Sequence, residues 1–432
     1  LQPNLPSPRT THPHEGLLLI LAGLFVMLGL MTVGLTRDVT ITYWLIFLVW
    51  GACAIGGNMI LNRYLPERDT LLFPIVMLLS GWGLVLIERL APNFADRQAI
   101  WLLVSVGAML VSAIFPHLLR WLRTYRYILL ALTLLLLAST IIFGRNPSGN
   151  AFAPQLWLGI GSIYFQPSEV MKLIVTAFLA SYLGEQATTL RSRNTTNLDA
   201  NSPRLGLSLR LIGPIILMWG LSVVVLVWQR DLGTAMLFFI VFMLLLYITS
   251  GDIRLLIGGF TLVIIAGFVA YQLFAVVQLR IDIWINPWAE ADGRAYQIVQ
   301  SLMAFGSGGI FGTGAGLGYP NYIPVVHSDF VFSALAEEWG LLGVITVLSC
   351  FAVLVMRGLH IGMSHTGRPF HTLLSVGLTM MLAVQALLIM GGVLKLLPLT
   401  GVTLPFMSYG GSSLLISYVM IGLLLRLSSG ER

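Results

Sequence analysis

The sequence predicts an all-α polytopic membrane protein, and three observations carry that expectation. Hydrophobic residues make up 57% of the 432-residue chain and charged residues only 10%, against roughly 25% charged in soluble domains. The mean hydropathy is +0.88. Apolar runs of about 20 residues, the length of one helical crossing, recur from end to end, and they lack the polar alternation of barrel strands.

Taken in order, residues 1–15 read as a polar, proline-bearing, disordered cytoplasmic tail. A two-helix hairpin occupies 16–69, with spans near Gly16–Leu35 and Ile41–Leu61. The first of these is long enough to cross and has no small-residue cleavage site, so no cleavable signal peptide is expected. The remaining spans fall in 70–428, near Thr70–Ile87, Gln98–Ile114, Tyr127–Phe143, Pro167–Leu183, Leu209–Trp228, Leu232–Thr249, Leu255–Val277, Phe330–Met356, Thr372–Leu394 and Thr403–Leu425. That makes about twelve crossings, with a large extracellular loop at 279–329 before the tenth. Gly184–Ser208 reads as a polar cytoplasmic linker.

With both termini in the cytoplasm, the inner segments hold roughly twice the arginines of the outer ones, the bias expected of cytoplasmic loops. Asn146–Gln166 and 279–329 then face outward. The net charge of +6 is spread singly over short loops, which suits anionic membrane lipids and excludes nucleic acid as a partner. Cys53 and Cys350 lie in apolar runs and read as free, buried thiols.

The chemistry-bearing residues cluster at the outer boundary. Glu169 and Lys172 stand three apart after Pro167, on one face of a starting helix; they form either a structural ion pair or part of a polar cavity. Asp231 reads as an N-cap of the next span. The glycine run from Gly306 to Gly318 has no Gly-x-Gly-x-x-Gly and no Walker lysine, so it is a loop that approaches a ligand or tucks into the bundle. His327 and Asp329 lack further ligands for a metal site. Asp329 is either a general base at the membrane boundary, with a raised pKa, or a helix cap. Glu337 and Glu338 sit at a depth where acids are costly, and Glu338 is expected to pair with an arginine of the same loop, such as Arg280. Prolines and glycines from Leu397 to Ser413 break the last apolar run, as happens where backbone is protein-buried or lines a cavity.

Pro167-Ser168-Glu169 with Lys172, Gln229 with Asp231-Leu232-Gly233-Thr234-Ala235, and Tyr296-Gln297 with Gln300-Ser301 together resemble the SEDS family (shape, elongation, division and sporulation). His327 with Asp329-Phe330, Glu337-Glu338, and Leu404-Pro405-Phe406 through Ser412-Ser413 extend the resemblance. It covers roughly Thr70 to Ser428, in the family's order, leaving a core of about ten spans and the hairpin as an addition. The resemblance implies a RodA/FtsW-type peptidoglycan glycosyltransferase that polymerises lipid II on the outer face of the cytoplasmic membrane, in elongation or division. It implies that Asp329 is the base, undecaprenyl diphosphate the leaving group, and a class B penicillin-binding protein the partner. Arg280, Gln297, Gln300, His327, Glu338 and Ser412 are then expected at the substrate. No cofactor is evident, and a divalent cation would share the work of Arg280 if one is used. Valine stands at 325 and 326 where the family often has glutamate, Arg230 where proline is usual, and Ile389 where asparagine is common. Asn146–Trp157 lacks the usual arginine. Two other function classes compete: a transporter of the lipid-linked precursor, and a non-catalytic scaffold.

Overall fold

A computed structural model describes residues 13–36, 42–146, 155–161, 163–196, 220, 231–365 and 367–430. The described chain is a bundle of α-helices. It runs α1 (Pro13–Thr36), α2 (Thr42–Tyr64), α3 (Leu72–Leu90), α4 (Pro92–Ile114), the short α5 (His117–Thr124) and α6 (Arg126–Phe143). A two-stranded antiparallel hairpin, β1 (Leu158–Ile160) and β2 (Ile163–Phe165), leads into α7 (Pro167–Thr196). Then come α8 (Leu232–Ser250), α9 (Ile253–Leu273), α10 (Ala275–Ile285), α11 (Tyr296–Gly308), α12 (Val331–Ser364), α13 (Pro369–Val393) and α14 (Gly411–Ser428).

Ten of the described helices are long and apolar enough to cross a membrane. The expected span at Leu209–Trp228, with Gln229 and Arg230, lies outside the described residues, as does most of the Gly184–Ser208 linker. The core runs along α14 on α4, α7 on α13, and α12 on α13. Outward faces are apolar and exposed, for example Ile20, Leu24 and Leu28 on α1 and Phe260, Ile264 and Phe268 on α9. This is the pattern of helices solvated by lipid rather than water.

Several expectations need correction. Residues 13–15 belong to α1, not to a disordered tail: Glu15 is buried and pairs with Arg68 at 2.7 Å. The sequence pattern hid this because the partner lies past both helices of the hairpin. α7 continues through Thr196 into the expected linker. The 279–329 segment is not an open loop, since it contains most of α10 and all of α11. The hairpin is docked on the bundle, α1 against α3 and α2 against α4, and an apolar cavity of about 280 Å³ opens between α1 and α2, lined by Leu30, Tyr43 and Phe47 among others.

The tenth expected span begins one residue later, as α12, and is broken inside. Gly340 has φ +62° and ψ −162°. The Gly306–Gly318 run crosses the helix at this break. Thr313 and Gly314 donate backbone N–H to the carbonyls of Glu337 and Glu338, at 2.9 and 3.1 Å, while Leu341 and Leu342 donate to the carbonyls of Gly309 and Ile310, at 2.9 and 3.2 Å. Backbone groups freed by the kink are thereby bonded to the crossing loop, as hydrocarbon depth requires. The two backbones touch so closely that a Cβ at Gly312 or Gly340 would strike the opposite chain. Of the two roles open to the glycine run, the structure uses it to tuck into the bundle.

Candidate functional site

The N-termini of α4, α7, α8, α12 and α14 and the C-termini of α3 and α13 meet at one end of the bundle, and Asp329 sits among them. It belongs to the turn before α12, where Ser328 and Asp329 both donate backbone N–H to Val325. Its carboxylate does not cap the helix: the N-cap is Phe330, without a side-chain bond. The hydroxyl of Ser328 donates to Asp329 Oδ1 at 2.9 Å. Burial raises the Asp329 pKa to about 6, against the opposing pull of Ser328 and of Arg280. The side chain nevertheless stays partly accessible.

One segment, 404–410, holds this turn in place. Ser408 Oγ donates to the Ser328 carbonyl at 2.6 Å, and Tyr409 N–H donates to the His327 carbonyl at 2.9 Å. The 404–410 segment is in turn tied to α4, because Gln98 donates to the Ser408 carbonyl and accepts from Gly410 N–H. The rings of Phe94, His327 and Tyr409 pack together, with Phe94 stacked on His327 at 5.0 Å and 4.7 Å from Tyr409. Burial lowers the His327 pKa, which keeps the imidazole neutral at neutral pH.

Arg280, on α10, reaches the same place from the other side. Its Nη1 donates to the Thr400 carbonyl at 3.3 Å, and Trp284 donates to the Lys395 carbonyl one turn further on. A Cβ built on Gly401, which has φ +73°, would stand 4.0 Å from Arg280 Nη2 and 4.0 Å from Asp329 Oδ2, so the cation and the carboxylate converge on one point beside the glycine. The two groups make no ion pair within 4.0 Å among the described residues. Asp231 completes the cluster. Its Oδ1 accepts from Thr234 N–H and caps α8 as expected, whereas Oδ2 is buried and without a hydrogen bond. Burial lowers the Arg280 pKa, with Asp231 and Asp329 pulling the other way. Among the described residues no three His, Cys, Asp or Glu side chains converge on a metal position.

Behind this cluster lies a buried polar chain. Lys172 donates to both carboxylate oxygens of Glu169, at 2.8 and 2.9 Å, and to Gln385 at 3.0 Å. Gln385 donates to the Thr403 carbonyl at 2.8 Å, and Thr403 to Ser413. Ser412 accepts from Gln166 N–H at 3.0 Å, joining the starts of α7 and α14. Gln297 and Gln300 share a half-buried face of α11, and their side chains make no hydrogen bond among the described residues. Glu338 does not pair with Arg280. Its partner is Arg89 at the end of α3, at 3.1 Å, which also donates to the Gly318 carbonyl at 2.9 Å. The cation comes from α3, 249 residues earlier, and no sequence spacing marks that.

The model of the FtsW, RodA and SpoVE cell cycle proteins matches residues 68–432. The chain belongs to this family. The peptidoglycan glycosyltransferase RodA of Mycobacterium tuberculosis H37Rv is 35% identical, with 100% of this chain and 92% of that protein aligned. The stage V sporulation protein E of Bacillus subtilis is 32% identical over 84% of this chain and 98% of its own length. Among solved structures, a chain from a peptidoglycan synthase complex described as coordinating polymerization and crosslinking superposes with a TM-score of 0.68. It is 25% identical and covers 84% of this chain and 97% of its own. The hairpin at 16–69 lies almost wholly outside the matched FtsW/RodA/SpoVE residues, although the mycobacterial RodA aligns across it.

Gly401, Ser408, Arg89 and the inward aim of Asp231 were not singled out from the sequence for this FtsW/RodA/SpoVE chain. The only available signals were the break of the apolar run after Leu397 and a buried acid, Glu338, that needed a cation from another span.

Proposed function

We propose that this peptidoglycan glycosyltransferase polymerises lipid II with Asp329 as general base and Arg280 as the charge that stabilises the leaving diphosphate. The acceptor sugar hydroxyl gives its proton to Asp329 and its oxygen bonds to the anomeric carbon of the donor. The anomeric C–O bond to phosphate breaks, and undecaprenyl diphosphate departs with the electron pair. Such a step needs a base on the nucleophile and positive charge at the leaving group. The single observation that carries the reading is the convergence of Asp329 Oδ2 and Arg280 Nη2 on one point beside Gly401.

The N-termini of α8 and α12, which begin just after Asp231 and Asp329, add partial positive charge that favours a diphosphate. Both termini lie in the cytoplasm, the site faces the outer surface of the cytoplasmic membrane, and a class B penicillin-binding protein crosslinks the product. The test is polymerisation of labelled lipid II by the full chain with that partner, its transpeptidase blocked, beside Asp329→Asn. Polymer from the wild type alone supports the proposal. Equal polymer from both moves the base elsewhere, and none from either, in a verified complex, returns the choice to transport or scaffolding.

A further inference from the structure

The N-terminal hairpin lies mostly outside the residues matched to the family, and nothing in the mechanism uses it. Yet one of its side chains reaches the helix that follows the base. Phe25 of α1 lies 4.8 Å from the Trp82 ring of α3 and 5.2 Å from the Trp339 ring of α12, and the two tryptophans are 5.2 Å apart. Trp339 is the last residue before the break at Gly340. Neither indole N–H has a hydrogen-bond partner among the described residues, so the contact among the three rings is packing without a hydrogen bond.

We propose that Phe25 is a positioning residue: through Trp339 it clamps the half-helix 331–339 at its hinge and so fixes where Asp329 stands. The proposal rests on the catalytic role assigned to Asp329 above. The half-helix is a short lever. The half-helix rises about 14 Å from the hinge to Val331, so a tilt of about 5° displaces that end, with Asp329 just before it, by about 1 Å. Misplacement of that size costs on the order of 10²-fold in rate. The other restraints near the hinge, the Arg89–Glu338 pair and the crossing loop, act through α3 and the 309–318 backbone. Phe25 adds the restraint from the hairpin.

The experiment compares Phe25→Ala with Leu30→Ala, both in full-length protein complexed with the transpeptidase partner. Leu30 is buried in the same hairpin but makes no ring contact with Trp339, so it reports simple loosening of the hairpin. Lipid II polymerisation is measured as kcat and KM, and backbone hydrogen exchange over 331–343 is read in parallel because it needs no turnover. The expected result is a fall in kcat of about tenfold or more for Phe25→Ala with KM nearly unchanged. Faster exchange at 331–343 accompanies it in that variant alone, and Phe25→Tyr, which keeps the ring, restores both. Equal effects of the two alanine variants, or altered exchange with normal kcat, overturn the proposal. A wild type that makes no polymer defeats the proposed activity instead, and the exchange comparison then decides the clamp.

Discussion

Arg280 and Asp329 converge on one point beside Gly401 without forming an ion pair within 4.0 Å. A direct contact would neutralise the proposed base. Arg280 donates instead to the Thr400 carbonyl, and Asp329 accepts from Ser328.

Gly401 is expected to tolerate no side chain. Gly401→Ala puts a methyl group between base and cation and reduces turnover by about 10²-fold or more. Its φ of +73° would also strain alanine, so Gly401→Asn separates the two causes, since asparagine tolerates left-handed backbone. Loss of polymerisation in both variants identifies occlusion, whereas normal turnover in the asparagine variant identifies strain.

The pH dependence follows from burial of Asp329, which lifts its pKa to about 6. As a base it works only when ionised, so kcat should rise through about pH 6 and level off above it. The sign for stability is opposite. Because the folded pKa lies above the unfolded one, the native state binds more protons between roughly pH 4 and 6. Ionisation therefore costs stability, fully so above that window. Asp329→Asn is expected to raise the thermal midpoint at pH 7.5 and leave it unchanged at pH 4, while lowering polymerisation by about 10²–10⁴-fold.

Lys172 and Glu169 are both buried and bonded to each other. Removing one partner of such a pair costs about 3–5 kcal/mol, because the other charge is stranded. Lys172→Met should therefore lower the thermal midpoint sharply. Glu169→Gln combined with Lys172→Met should recover most of the loss, and a double-mutant cycle measures the coupling.

Arg89 and Glu338 are expected to behave in the same way, with a local signature. Arg89→Met removes the pair and the bond to the Gly318 carbonyl, so limited proteolysis should reach 309–318 first. Unchanged protection of that loop would show that the backbone crossing holds it unaided.

The helices were largely legible because hydropathy alone marks a lipid-solvated span, and the acid-rich boundary before α12 marked Asp329. Asp231 was legible as a cap, since capping is a local relation of one residue to the next turn. Its aim toward Arg280 was not, because that depends on how α8 and α10 pack around 400–401. Likewise the pairing of Glu338 was missed, because its partner Arg89 lies on another span, 249 residues earlier. The burial of Glu15 escaped notice for the same reason, its partner Arg68 lying past both helices of the hairpin.

The crossing at Gly340 also imposes an order of assembly. Carbonyls of Glu337 and Glu338 accept from Thr313 and Gly314, partners that reach them only by folding back after translation has passed both segments. Until then a break at that depth would leave its polar backbone bare in hydrocarbon, which is too costly to persist. α12 must therefore insert as a continuous helix, or wait at the interface, and acquire its kink when the glycine loop returns. Closure of the glycine loop on Glu337 and Glu338 is in this sense a late step of folding, taken after both segments have been made.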